Sequence, residues 1–171
     1  MDRMSSIELA LKNERTEMAY YQAEAKRSAN ALAKAMFETL AHDEEEHAAR
    51  LQRLHERLLA KGSWPKDVAL EVKGTNVGTV LDGLVAHVSS AQNCNHDDVE
   101  ALQKAAKFEA SGAKFYADLS EACADPTEKS FFKFLAGIER EHLRSIESSL
   151  AFFQDPAAFH LAREKSGLDG A

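Results

Sequence analysis

Two Glu-x-x-His motifs, Glu44/His47 and Glu139/His142, are the parts of this sequence best suited to chemistry. On a helix, residues three apart lie on the same face, so each pair can direct a carboxylate and an imidazole at one point. Mixed oxygen and imidazole ligands bind iron or manganese, and they also accept zinc. The motifs therefore predict metal ligands on helices, although either motif alone also fits a charged helix face.

The two motifs belong to a longer repeat with a constant offset of 95 residues. Further apolar and polar positions, besides the motifs, match at the same offset and need no gap. They include Glu14 with Glu109, Tyr21 with Tyr116, Phe37 with Phe132, and Leu40-Ala41 with Leu135-Ala136. A repeat of this kind indicates that one structural unit has been duplicated. Here the duplicated unit is a pair of helices.

Apolar residues recur at steps of three and four along four segments, as in the buried seam of a four-helix bundle. These segments predict helices at about residues 5–28, 31–61, 98–123 and 126–153. A long crossover, 62–97, contains a short helix near 79–90, and a short C-terminal helix lies in the tail, 154–171. We therefore predict an all-α fold in a single domain, 1–171, with helix hairpins at 5–61 and 98–153.

Each candidate ligand lies in the middle of its apolar seam. Glu14 and Glu44 are equally far from the first predicted turn, and Glu109 and Glu139 are equally far from the second. Antiparallel helices then bring the four glutamates to one level, together with the two histidines. Burying four carboxylates without compensation is very costly, whereas two divalent cations balance their charge.

Composition excludes several other classes of protein. The 171 residues carry a net charge of −7 and no basic stripe, which argues against nucleic-acid binding. Neither Cys94 nor Cys123 belongs to a C-x-x-C pair, so a rubredoxin-type or zinc-ribbon site is not expected; a single disulfide stays open. We expect no signal peptide, no membrane span and a cytoplasmic location.

The pattern of Glu on two helices and Glu-x-x-His on the two others resembles the ferritin-like di-iron carboxylate proteins. Within that group it is most similar to the rubrerythrin family. The likeness rests on Glu14 with Tyr20-Tyr21, Glu109 with Phe115-Tyr116, and the two Leu-Ala-x-x-Glu-x-x-His segments. The resemblance implies a ferritin-like four-helix bundle. The chain departs from many rubrerythrins in one expected respect, because without a C-x-x-C pair no rubredoxin domain is expected.

The resemblance also implies roles for individual residues. It implies metal ligation by Glu14, Glu44, His47, Glu109, Glu139 and His142. Tyr21 and Tyr116 become hydrogen-bond donors to the ligands Glu14 and Glu109 and take part in proton transfer. The implied cofactor is a pair of iron ions, for which manganese or zinc could substitute. The implied reaction reduces hydrogen peroxide or dioxygen in a homodimer, with electrons from a separate rubredoxin-like protein or flavoprotein.

One departure from the family pattern concerns an additional glutamate. Rubrerythrins carry it three residues after the ligand on the third long helix, where this chain has Gly112. The equivalent position on the first helix is Glu17. We therefore predict that Glu17 supplies a seventh carboxylate from the other half of the bundle, although a solvated glutamate at the edge of the seam is an equal alternative.

Two other functions are compatible with the same sequence. The first is a non-catalytic module that binds or buffers iron without turnover, which the expected lack of an electron-transfer domain keeps open. The second is a structural helical bundle that binds zinc adventitiously, and six duplicated ligands argue against it.

Overall fold

The computed structural model describes residues 3–62, 64–65, 75–87 and 96–168, and these ranges contain helices and no strand. The helices are α1 (Arg3–Arg27), α2 (Ala31–Lys61), α3 (Val77–His87), α4 (His96–Ala122), α5 (Pro126–Gln154) and α6 (Pro156–Leu168). The predicted all-α class is confirmed.

Helices α1 and α2 form the first hairpin, with ends close to those predicted. Asn30 caps α2, because its side-chain oxygen accepts a hydrogen bond from the backbone N–H of Ala33 at 2.9 Å. Gly62 ends the helix in the left-handed region, at φ 66°, and its N–H donates to the carbonyl of Leu58. Asn30 and Gly62 therefore fix the two ends of α2, the helix that carries Glu44 and His47.

Helices α4 and α5 form the second hairpin. Asp125 caps α5 by accepting hydrogen bonds from the backbone N–H groups of Thr127 and Glu128, with Pro126 at the first helical position. Helix α4 begins at His96, two residues before the predicted start. The sequence Asn95-His96-Asp97 favours an N-cap just before this helix, and Asn95 lies outside the described residues.

The hairpins pack side by side. Helix α1 packs along α2 and α4 packs along α5, while the two hairpins meet through α1 with α4 and α2 with α5. The crossover helix α3 lies against α2 and α5, and α6 packs on α5. The observed α3 is close to the predicted short helix at 79–90, whose last three residues are not among those described. This arrangement is the predicted ferritin-like four-helix bundle.

Two apolar clusters lie on either side of the candidate ligands. One contains Tyr21, Phe37, Leu40, Leu102 and Ile146 among its buried members. The other is built from side chains at the opposite ends of the same long helices, including Ile7, Leu51, Tyr116, Phe132 and Leu135. On every long helix the candidate ligands fall between residues of the two clusters, so water is excluded from both sides.

Other sequence expectations concern the membrane and the cysteines. None of the helices in the described ranges is long and apolar enough to cross a membrane. Cys123 is a free thiol, and Cys94 lies outside the described residues.

Candidate metal centre

The four long helices bring all six predicted ligands to the middle of the bundle. The six side chains are at most 3% exposed, and they comprise Glu14, Glu44, His47, Glu109, Glu139 and His142. Each Glu-x-x-His pair projects from one face of its helix, as the three-residue spacing requires. The duplicated hairpins therefore place one acidic cluster at their common centre.

These side chains form two overlapping groups with the spacing of metal ligands. Glu14 and His47 belong to the first group, and Glu109 and His142 belong to the second. Glu44 and Glu139 are members of both. Within each group, one nitrogen or carboxylate oxygen per residue lies within 4.8 Å of the others. Two neighbouring cation positions that share a pair of carboxylates fit this arrangement.

The two imidazoles face the centre with the same ring nitrogen. Nδ1 of His47 lies 2.9 Å from a carboxylate oxygen of Glu44 and 3.1 Å from one of Glu14. Nδ1 of His142 lies 3.3 Å from a carboxylate oxygen of Glu109. The rings stack with their centroids 5.9 Å apart and their planes inclined by 25°. Both nitrogens are thus placed to bind a cation between the helices.

Two buried carboxylate oxygens in this cluster lack a hydrogen-bond partner. They are Oε1 of Glu44 and Oε2 of Glu139, the two residues that both groups share. Nδ1 of His142 lies 3.4 Å from the first oxygen and 3.8 Å from the second, too distant or poorly aligned for a good hydrogen bond. Buried polar atoms are almost always paired. The described residues therefore fit a bound cation, which both oxygens could ligate.

Each buried tyrosine donates a hydrogen bond to a candidate ligand of the other hairpin, rather than to the glutamate seven residues before it on its own helix. The hydroxyl of Tyr21, on α1, donates to Oε1 of Glu109, on α4, at 2.6 Å. The hydroxyl of Tyr116, on α4, donates to Glu14, on α1. Burial and the adjacent carboxylates raise the pKa of both phenols well above the ordinary value. Both tyrosines therefore stay protonated at neutral pH and remain donors.

Protons and histidine charges stabilise this cluster in the metal-free protein. Burial, followed by the charge of Glu44, raises the pKa of Glu14 to about 8, and burial also raises the pKa of Glu139 well above its usual range. Burial opposes the ionisation of Glu44 and of His47. Their mutual attraction outweighs it, so the pKa of Glu44 falls well below its usual range and that of His47 rises to about 10. A bound cation would replace these protons.

Glu17 lies at the edge of the centre, outside both groups. It is half-buried on α1, and burial followed by the charges of Glu44 and Glu109 raises its pKa to about 9. At the equivalent position on α4, a Cβ added to Gly112 would lie 3.4 Å from Cδ of Glu139. The carboxylate of Glu139 thus lies where a longer side chain at position 112 would extend.

Asp43 is a residue of this centre that the motifs did not reveal. Its Oδ2 lies 3.0 Å from Nε2 of His142, the ring nitrogen that faces away from the carboxylate cluster. The sequence contains one indication of this role, a difference between the two halves of the repeat: the counterpart of Asp43 at the 95-residue offset is Ile138. The contact itself depends on packing between α2 and α5, which the repeat does not specify.

Comparison with known proteins bears on the first hairpin. Neither the curated proteins nor the solved structures include a match to this chain. Residues 6–75, which contain most of α1 and all of α2, match the family model described as Rubrerythrin, and this match confirms the resemblance to the rubrerythrin family that the sequence motifs predicted.

Proposed function

We propose that this protein is a rubrerythrin-like di-iron oxidoreductase that reduces hydrogen peroxide, or dioxygen, with electrons from a separate donor. The observation that carries the proposal is the pair of overlapping Glu/His groups, buried and sharing Glu44 and Glu139. A purely structural bundle has no need for two unpartnered carboxylate oxygens in its core. The match to the rubrerythrin family model supports iron as the metal.

In this proposal each hairpin supplies the ligands for one end of the centre. Glu14 and His47 would hold one ion and Glu109 and His142 would hold the other, while Glu44 and Glu139 belong to both groups and could serve either ion. Two divalent ions neutralise the four glutamates, which makes their burial tolerable. Iron bound here would supply the electrons that cleave the O–O bond of the substrate.

The remaining residues orient the ligands and handle protons. Tyr21 and Tyr116 each hold a hydroxyl proton against a glutamate from the other hairpin, which fixes the direction of that carboxylate. Reduction of peroxide to water consumes two protons for every two electrons. The half-buried Glu17 lies between the buried carboxylates and the solvent, where it can pass protons inward or add a seventh carboxylate to the centre.

The proposed reaction is tested by removing all metal from the protein and then loading it anaerobically with two Fe(II) per chain. The loaded protein is mixed with peroxide and, separately, with dioxygen, while oxidation is followed by absorbance. Fast oxidation by peroxide that repeats after each reduction supports the peroxidase. A single oxidation without repeat turnover supports the alternative, iron handling without catalysis. Slow or absent reaction with both oxidants contradicts the enzymatic proposal, and fewer than two metals per chain contradicts the two-ion centre.

Glu17 has a test of its own within this proposal. We expect Glu17→Ala to weaken metal binding or to slow peroxide turnover. The matched control is Glu45→Ala, which removes an exposed carboxylate from the adjacent helix α2. If Glu17→Ala changes neither metal affinity nor turnover, Glu17 is a solvated glutamate at the edge of the seam and has no part in the centre.

The electron donor and the assembly belong to the proposal as well. We propose a rubredoxin-like protein or a flavoprotein as the donor, and a homodimer as the functional form. Turnover of the iron-loaded protein with each purified donor, together with its molar mass in solution, tests both points.

A further inference from the structure

The histidines of the two hairpins have different surroundings behind their rings. His142, on α5, is fully buried, and Oδ2 of Asp43 lies 3.0 Å from its Nε2. Asp43 belongs to α2, so this contact joins the two hairpins. At the equivalent position of the second hairpin the residue is Ile138, which is buried and has no side-chain group that accepts a hydrogen bond. The repeat position that supplies a carboxylate to His142 in the first hairpin therefore supplies no carboxylate to His47 in the second.

The direction of the His142 ring matters because imidazole has two different nitrogens. Nδ1 of His142 lies 3.3 Å from Glu109 and 3.4 Å from Glu44, toward the centre. When Nε2–H donates to a carboxylate, the neutral ring keeps its lone pair on Nδ1. A hydrogen bond of this kind also fixes the plane of the ring and makes the ligating nitrogen more basic.

We propose that Asp43 is a positioning residue that orients His142 from the opposite hairpin, so that the Glu109/His142 position binds a divalent metal more tightly than the Glu14/His47 position. The two positions then fill in order, and the Glu109/His142 position fills first. This inference rests on the proposed function to the extent that a metal binds at this centre. It adds that the two halves of the centre, although duplicated, are unequal.

The rival explanation is that Asp43 and a charged His142 form an ion pair that serves only the stability of the fold. Asp43 is 14% exposed at its side chain, so such a pair would be partly shielded from water. The two explanations differ in what the loss of Asp43 changes. A purely structural pair alters the unfolding of the protein, whereas a positioning residue selectively weakens one of two metal sites.

The test is a calorimetric titration of the metal-free full chain with Zn(II), which binds carboxylate and imidazole and undergoes no redox chemistry. For the unaltered protein we expect two binding steps with affinities separated by about tenfold or more, the range that an outer hydrogen bond to a ligand supplies. Asp43→Ala should weaken the tighter step by about 10–100-fold and leave the weaker step in place. Asp43→Asn keeps an acceptor oxygen and a similar volume. Its affinity at the tighter step should therefore lie between those of the unaltered protein and of Asp43→Ala.

The matched control is Glu45→Gln, an exposed carboxylate two residues along the same helix, which should leave both steps unchanged. The unfolding midpoint of each metal-free variant shows whether the fold survives, and Asp43→Asn replaces Asp43→Ala if that variant does not fold. Two equal binding steps in the unaltered protein, or two unchanged steps in a folded Asp43 variant, overturn this inference and leave the proposed centre intact. Failure of the unaltered protein to bind two ions overturns the proposed centre itself.

Discussion

The two hairpins share the residues that face the centre and differ in the residues around them. Each supplies one lone glutamate, one Glu-x-x-His pair and one buried tyrosine. The first hairpin has two further carboxylates near the centre, Glu17 and Asp43, where the second has Gly112 and Ile138. The difference shows that duplication has kept the ligand-like positions equal while the surroundings of the two histidines have diverged.

Support for the candidate ligands comes mainly from the opposite hairpin. Tyr21 donates to Glu109, Tyr116 donates to Glu14, and Asp43 contacts His142. Neither hairpin therefore contains a complete half of the centre. Variants must accordingly be compared in the full chain, where each hairpin can act on the other.

The largest effect is expected from Glu139→Gln, which keeps the volume of the side chain but removes a carboxylate shared by both groups. We expect this variant to lose both ions under conditions in which the unaltered protein binds two. Glu14→Gln and Glu109→Gln change only one group each, so each should lose a single ion. Metal content after equilibrium dialysis measures all three variants.

Glu45→Gln is the control for this series, because Glu45 is exposed. If Glu139→Gln still binds two ions per chain, the shared-carboxylate arrangement is wrong. If Glu14→Gln and Glu109→Gln lose different numbers of ions, the two halves depend on each other more strongly than the duplicated ligands indicate.

The next largest effect concerns the crossed tyrosines. Tyr21→Phe should weaken binding at the Glu109 position, and Tyr116→Phe should weaken it at the Glu14 position, each by about 10–100-fold, because an oriented ligand loses its hydrogen bond. Zn(II) titration in the Glu14→Gln background isolates the Glu109 position, and the Glu109→Gln background isolates the other.

Tyr20→Phe provides a matched control. The hydroxyl of Tyr20 donates to the backbone carbonyl of Ala101 at 3.0 Å, away from the carboxylates. Its loss should lower the free energy of unfolding by about 1 kcal/mol and leave metal affinity unchanged. An effect of Tyr21→Phe at the Glu14 position, on its own hairpin, would contradict the crossed arrangement.

Local chemistry explains why much of this molecule could be predicted from its sequence. Asn30, Gly62 and Asp125 fix helix ends through atoms within a few residues, so the hairpins could be located within about two residues. The convergence of the ligands followed from duplication and from equal distances to the turns. The contact between Asp43 and His142 could not be predicted, because it depends on how α2 and α5 are packed and rotated, and no local pattern specifies that packing.

A smaller effect is expected from pH in the metal-free protein. The folded-state pKa of Glu14 is raised from 4.5 to about 8, and that of His47 from 6.5 to about 10. In these intervals the folded protein holds more protons than the unfolded chain, so stability falls as pH rises. Urea unfolding at pH 5.5, 7 and 8.5 should therefore give decreasing midpoints.

Metal loading should reverse the sign of this pH dependence, because cations compete with protons for the same groups and bind better as pH rises. Glu14→Gln should reduce the decrease in the metal-free protein by removing one of the shifted carboxyls of the first hairpin. An unchanged urea midpoint from pH 5.5 to 8.5 would show that these groups are not shifted in the fold.

The smallest effect tests why the second hairpin has glycine where the first has Glu17. Alanine is favoured over glycine in a helix interior by about 1 kcal/mol, and the added Cβ would lie 3.4 Å from Cδ of Glu139, an ordinary contact. Gly112→Ala should therefore raise the free energy of unfolding of the metal-free protein by up to about 1 kcal/mol and retain both ions.

Comparison of Gly112→Glu with Gly112→Ala shows whether the space at position 112 or the charge of the added side chain affects metal binding. The longer side chain introduced by Gly112→Glu has to displace the carboxylate of Glu139, which both groups share, so metal binding should weaken although a potential ligand has been added. If Gly112→Ala already weakens metal binding, Glu139 needs the empty space beside the glycine in order to reach the ions. If Gly112→Glu instead strengthens metal binding, the second hairpin has room for a carboxylate at this position. The two hairpins then differ here only in the charge of the side chain, and not in the space available to it.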